Sequence, residues 1–206
     1  MTQTFATPAY WNERYQCGDY VYGCAPNDFL RAHATLFVKG AKVLSLAEGE
    51  GRNAVFLATQ GCKVQGVDFS AQGQEKAQQL AKNHGVKIGY DLADLTVYDM
   101  GDAAWDGIIS VFCHLPERKR ANLYESVIRA LKPGGIFLLE SYNKRQPDFC
   151  TGGPNDASYL LSCDELKAPF SGFEVLMLQD VERNVQEGHF HNGQSSVTQF
   201  IARKPA

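Results

Sequence analysis

The sequence predicts an α/β fold: a doubly wound sheet of seven strands, mostly parallel, with an antiparallel C-terminal hairpin strand. Three observations predict it. Short β-rich runs alternate with longer amphipathic stretches through most of the chain, the pattern of parallel strands joined by crossover helices. The last two β-rich runs follow one another without a helix, and the turn-forming pair Asn192-Gly193 stands between them, as a hairpin requires. No repeat, low-complexity linker or composition break divides the 206 residues. The chain is therefore read as a single domain, with a cap over residues 1–35 and a core over 36–206.

The strands are expected at Lys42–Leu46, Cys62–Val67, Val86–Tyr90, Asp106–Phe112, Gly135–Ser141, Phe173–Leu178 and Ser195–Ala202, each rich in β-branched and aliphatic residues. Helices are expected near Arg52–Gln60, Ala71–Asn83 and Glu117–Leu131. In the last of these, Leu123, Val127, Ile128 and Leu131 recur at the spacing of one buried helical face. Pro133-Gly134-Gly135 is expected to stop that helix and feed the next strand. The sixth strand should run with the first five and the seventh against it. The connection between the two, with His189 and His191, would then overhang the carboxyl rim of the sheet.

A hydrophobic fraction of 44% against 21% charged residues excludes a disordered chain. A net charge of −3 supplies no global field to draw in nucleic acid or an anionic membrane. Arg118-Lys119-Arg120 is expected to be a solvated helix face. No apolar run approaches the ~20 residues of a bilayer span, and Met1–Gln16 lacks the basic and apolar regions of an export signal. The six scattered cysteines form no CxxC pair. Reduced thiols, a cytoplasmic location and no metal site are the expectation.

After the first strand comes Leu46-Ala47-Glu48-Gly49-Glu50-Gly51-Arg52-Asn53. Gly49 and Gly51 are expected to let the backbone approach a ligand closely at a helix N-terminus. A GxGxxA pattern by itself also fits a nicotinamide dinucleotide fold. The acids around it discriminate. Glu48 and Glu50 beside the first glycine suit an ammonium or ribose hydroxyls and oppose a pyrophosphate. Asp68, at the end of the second strand, is placed to accept both hydroxyls of a ribose. Asp94, chosen over Asp91 and Asp99, is placed to accept from an adenine amine.

VLSLAEGEGRNAVFLA, VQGVDFS, DLADL, WDGIISVFCHLP and LKPGGIFLLESYN, in that order and spacing, resemble the class I S-adenosylmethionine-dependent methyltransferases, whose sheet is Rossmann-like. More narrowly, WNERY, YGCAPNDFL, TGGPND and EGHFHNGQSSVTQFIARKP resemble small bacterial tellurite-resistance methyltransferases of the TehB type. The resemblance implies S-adenosylmethionine as cofactor, held by Glu48, Gly49, Gly51, Asn53, Asp68, Phe69, Asp94, Leu95 and Val111. It implies a lid in which Arg14 pairs with the methionine carboxylate and Tyr22 lies near the sulfonium. The acceptor it implies is a small molecule, soft or anionic, such as a thiol or a tellurium or selenium oxyanion. The chain departs from the family at Ser45, where an acid is usual, and at Ala47, where a glycine is usual. Glu48 is the expected substitute for that acid.

The candidates for the acceptor side are His114 after the fourth strand, Tyr142 at the end of the fifth and His191 by the hairpin. Methyl transfer from a sulfonium needs alignment and exclusion of water more than it needs a catalytic dyad. Two other functions remain open on the sequence. One is a non-catalytic protein that binds an adenosyl ligand. The other is a nicotinamide-dependent oxidoreductase, which would leave Asp94 and the hairpin unexplained.

Overall fold

Residues 7–206 are described by the structure, a computed structural model; residues 1–6 of the expected cap lie outside the described residues. Alternation along the strands builds the architecture. Val43, Ile109, Leu138 and Ile201 enter one apolar layer, and their neighbours Leu44, Ile108, Phe137 and Phe200 enter the other. Every strand of the centre is thus buried on both faces, as a period of two between helical layers demands. The first layer is covered by α2 (Asp28–Ala32), α3 (Arg52–Thr59) and α4 (Ala71–Asn83) through Leu30, Val55, Leu57 and Leu80. The second is covered by α5 (Glu117–Ala130) and α6 (Cys163–Lys167) through Leu123, Val127 and Leu166.

The strands are β1 (Lys42–Leu46), β2 (Lys63–Asp68), β3 (Gly89–Leu92), β4 (Trp105–Val111), β5 (Leu131–Tyr142), β6 (Glu174–Glu187) and β7 (His191–Arg203), in the sheet order β3-β2-β1-β4-β5-β7-β6. β1 to β5 are parallel, and β7 is antiparallel to both β5 and β6. The order reverses beside β1, which opens a crevice at the carboxyl ends of the strands. Among the described residues no helix is long and apolar enough to cross a membrane.

Two local expectations are corrected. The hairpin turns at Gly188-His189-Phe190, whereas Asn192 and Gly193 sit inside the ladder opposite Gln186 and Val185. Gly188 takes the positive φ of +72°, and a Cβ there would lie 2.2 Å from the Val21 carbonyl oxygen. Gly193 is small because Thr151 packs on it, 2.6 Å from where its Cβ would stand. Pro133-Gly134-Gly135 is not a connector. Leu131 already pairs with Trp105, and the register shifts before Gly107 meets Ile136, so the three residues bulge the start of β5.

The cap packs as α1 (Pro8–Tyr15) followed by an irregular segment. Thr7 caps the helix by accepting from the Tyr10 N–H at 3.3 Å. The Ser70 hydroxyl donates to Asn12 at 2.8 Å, tying α1 to the head of α4. The Glu50 carboxylate accepts from the Val21 and Tyr22 N–H groups at 2.9 and 3.3 Å and from Lys76 at 2.6 Å. Glu50 therefore holds the cap down.

Candidate active site

A cleft runs along the carboxyl ends of β1 to β4 beneath Trp11, Tyr15 and Tyr22. Of the residues expected at the cofactor, Tyr22, Glu48, Asn53, Asp68, Phe69, Asp94, Leu95 and Val111 line it. Gly49 and Gly51 do not. A Cβ on Gly49 would lie 2.7 Å from the Tyr15 hydroxyl, and one on Gly51 2.6 Å from the Ala77 Cα of α4. Both positions, at φ +61° and +95°, are glycine so that the cap and α4 can close on the loop.

The acids divide the work. Glu48 Oε1 accepts from the Asn53 and Ala54 N–H groups at 3.1 and 2.9 Å, capping α3 from the loop, and Oε2 accepts from the Ser45 hydroxyl. Ser45 is thus the partner of the carboxylate expected to stand in for it. Burial pushes Glu48 up to about 7 against the pull of those donors. Asp68 accepts from the Ser70 and Gly49 N–H groups at 2.9 and 3.1 Å, and burial pushes it up to about 6. With the Phe69 N–H also bonded to it, that carboxylate keeps a lone-pair direction for a ligand. Asp94 is exposed at the cleft and accepts from the Thr96 N–H at 2.8 Å. Asp91 is turned away onto the Tyr98 hydroxyl at 2.6 Å, and Asp99 pairs with Arg129.

The cations differ from expectation. Arg14 does not line the cleft; it donates to the Tyr22 hydroxyl at 2.9 Å and lies 4.1 Å from the centre of the Phe190 ring. The buried cation facing the cleft is Arg52, paired with Glu187 at 2.5 Å. A cation in the first turn of a helix opposes the dipole, and that conflict was the sequence signal for a hidden carboxylate partner. Arg118-Lys119-Arg120 is a solvated face only in part, at Arg118. Arg118 and Lys119 line the cleft. Arg120 is buried and donates to the Leu115, Ser158 and Leu160 carbonyls and to Glu165.

On the β4–β7 side, His114 and His191 both line the cleft. The His191 ring centroid lies 4.6 Å from that of Tyr22 and 4.7 Å from that of Phe112. Tyr142 is fully buried behind them and does not line the cleft. Its ring is parallel to His114 at 5.7 Å and edge-on to His191 at 5.2 Å, so it positions the two imidazoles. Burial holds its phenol above the usual range, pushes His114 down to about 4 and holds His191 well below the usual imidazole range. Both imidazoles are neutral at neutral pH. Cys113 also faces the cleft, with its thiol pushed up to about 12 by burial. His189 is exposed at the hairpin tip, where its N–H donates to the Val21 carbonyl at 2.9 Å.

A family model described as a methyltransferase domain matches residues 43–135, the span that carries Glu48, Asp68, Asp94 and His114. Over that span the chain is similar to the class I S-adenosylmethionine-dependent methyltransferases. A sterol 24-C-methyltransferase of Eremothecium gossypii is 26% identical over 188 residues, covering 81% of this chain and 49% of that one. The first curated methyltransferase relatives are longer proteins, and the chain spans between 25% and 49% of their length. TehB from Haemophilus influenzae has the same fold, with a TM-score of 0.71 at 19% identity over 96% of this chain and 66% of that one. So does a solved structure concerned with converting a disulfide bond into a thioacetal group during echinomycin biosynthesis (TM-score 0.73, 18% identity, 96% and 90% covered). Methyltransferases of this class use S-adenosylmethionine, and the cleft fits it. Glu48 and Asp68 are carboxylates burdened by burial, and a ligand carrying an ammonium and a sulfonium relieves that burden.

Proposed function

We propose that the protein transfers a methyl group from S-adenosylmethionine to a small-molecule acceptor. One observation carries the reading: Glu48, Asp68 and Asp94 stand at the ends of three adjacent strands in one cleft, in the order of an ammonium, a ribose and an adenine amine along the cofactor. Bound there, the cofactor supplies an activated methyl group on a sulfonium. Asp68 takes the ribose hydroxyls, Asp94 the adenine amine and Glu48 the methionine ammonium, with Phe69, Leu95 and Val111 as apolar walls and Asn53 beside Glu48. Arg52 is the buried cation of the cleft wall. Trp11, Tyr15 and Tyr22 roof the cleft and exclude water from the transfer. His114 and His191 face the acceptor.

Calorimetric titration with S-adenosylhomocysteine tests the reading. Asp68→Ala is expected to weaken binding about 10- to 100-fold, the cost of ~1–3 kcal/mol for losing a buried charge-assisted acceptor. Unchanged affinity removes the ribose assignment. Preference for NAD over the adenosyl ligand overturns the reading itself.

A further inference from the structure

The acceptor end of the cleft differs chemically from the cofactor end. Its walls include Tyr22, Phe112, Leu115 and Pro116, with Cys113 and Tyr159 also on the cleft, and the two imidazoles bring buried ring nitrogens to it. Both ring nitrogens of His114 and Nδ1 of His191 are buried without a hydrogen-bond partner in the protein, and His191 is 6% exposed. A neutral imidazole carries one N–H donor and one bare acceptor nitrogen. Leaving a buried acceptor unmet costs about 1–3 kcal/mol. An anion satisfies only donors, so it leaves the acceptor nitrogens bare. Of the cleft's cations the buried one, Arg52, is committed to a carboxylate, while Arg118 and Lys119 line the cleft from the first turn of α5. Arg52 is paired with Glu187, Arg14 with the Tyr22 hydroxyl and the Phe190 ring, and Lys119 reaches Thr96 at 3.4 Å. Arg118 sits on the exposed first turn of α5.

We propose that the methyl acceptor is an uncharged small molecule with an apolar body that presents one O–H, S–H or N–H hydrogen to the His114–His191 pair. The proposal rests on the methyltransferase reading and narrows it. The balance of the reaction is X–H plus a sulfonium methyl donor giving X–CH3, a thioether and a proton. The X–C bond forms from a lone pair of X, and the C–S bond breaks with its electrons kept on sulfur. The proton of X passes to an imidazole nitrogen and on to water. A ring that is neutral at rest has the free nitrogen this requires.

The test begins with calorimetric binding of S-adenosylhomocysteine to the full chain; no binding there strikes the methyltransferase reading and not the acceptor class. The loaded protein is then titrated with shape-matched probes: 4-methylphenol and benzyl mercaptan against benzoate, with selenite and tellurite as small anions. The neutral probes are expected to bind about tenfold or more tightly than the anions, the scale of one satisfied buried hydrogen bond. They are also expected to take label from methyl-labelled S-adenosylmethionine. His191→Phe keeps the ring and removes its nitrogens, and it should abolish the preference while cofactor affinity stays level. His114→Phe tests the pair separately, and the comparison of probes on the unaltered chain needs no variant. Equal affinity, a preference for anions, or no neutral probe binding at millimolar concentration overturns the proposal.

Discussion

Ala47 turns the chain out of β1 at φ +50°, and Phe112 does the same at the end of β4, also at +50°. Left-handed backbone costs a residue with a Cβ roughly 1–2 kcal/mol, and such strain collects at functional rims. Ala47→Gly is therefore expected to raise stability by up to ~1 kcal/mol, once the greater freedom of unfolded glycine is subtracted, as read by urea denaturation. Glu48 gives a pH-dependent signature. It titrates at about 7 in the folded chain against an ordinary 4.5, so the folded state holds the extra proton between those values. Its contribution to stability falls as pH rises through that window. Asp68, at about 6 against 3.8, acts in the same direction. His114, at about 4 against 6.5, acts in the opposite one, because there the unfolded chain holds the proton. Glu48→Gln keeps the acceptor for the Asn53 and Ala54 N–H groups. In cofactor-free protein it should gain stability over the parent between pH 4.5 and 7, by up to ~3 kcal/mol, and run parallel to it outside that window. A constant difference across the range would show that Glu48 is not perturbed.

At the scale of elements, the first loop and α3 are held by contacts the glycines permit. Gly51 sits at φ +95° with α4 backbone 2.6 Å from its missing Cβ, whereas Gly85, at φ +66°, has nothing within 4 Å. Gly51→Ala must force α3 and α4 apart as well as strain the loop, a loss of roughly 2–4 kcal/mol. Gly85→Ala carries the backbone cost alone, about 1 kcal/mol. Chemical denaturation of the two variants separates packing from conformation, and equal losses would refute the packing account. The hairpin is governed by the same kind of contact. Its tip folds where Gly188 meets Val21 and Tyr22, not where the Asn-Gly pair stands. Tertiary docking on the cap overrides a local turn preference.

Across the whole molecule, a buried polar network joins parts of the chain that the sequence keeps far apart. Glu140, fully buried in β5, accepts a bidentate pair from Arg183 at 3.1 and 2.5 Å, and also bonds Asn27 at 2.7 Å and Gln199 at 2.6 Å. Glu187 accepts from Arg52, Asn27 and Arg183. Two carboxylates and two guanidinium groups thus bind the cap, α3, β5 and the hairpin into one frame around the cleft. Glu140→Ala removes the bidentate partner of Arg183 and leaves Glu187 alone against two guanidinium groups, which should cost about 3 kcal/mol. Urea unfolding measures it. A loss below 1 kcal/mol, on the scale of a surface pair, would mean that the network is solvated.

The sequence by itself determined the sheet, its mostly parallel order, α4 from Ala71 to Asn83, and the acids Asp68 and Asp94 at strand ends. Each of these follows from local period and composition, which a chain carries residue by residue. It also pointed to Glu48, because a departure at Ser45 within three residues of an unexplained acid is visible in one line of text. Only the tertiary structure decided the rest. Arg14 stacks on Phe190, Arg52 finds Glu187 135 residues away, Tyr142 withdraws behind the histidines, Arg118 and Lys119 join the cleft wall, and Arg120 turns inward to Glu165. These outcomes depend on which charges burial forces together and which glycines let segments touch. Such long-range choices have no period to read, because they are fixed by the desolvation cost of a charge left alone in the interior.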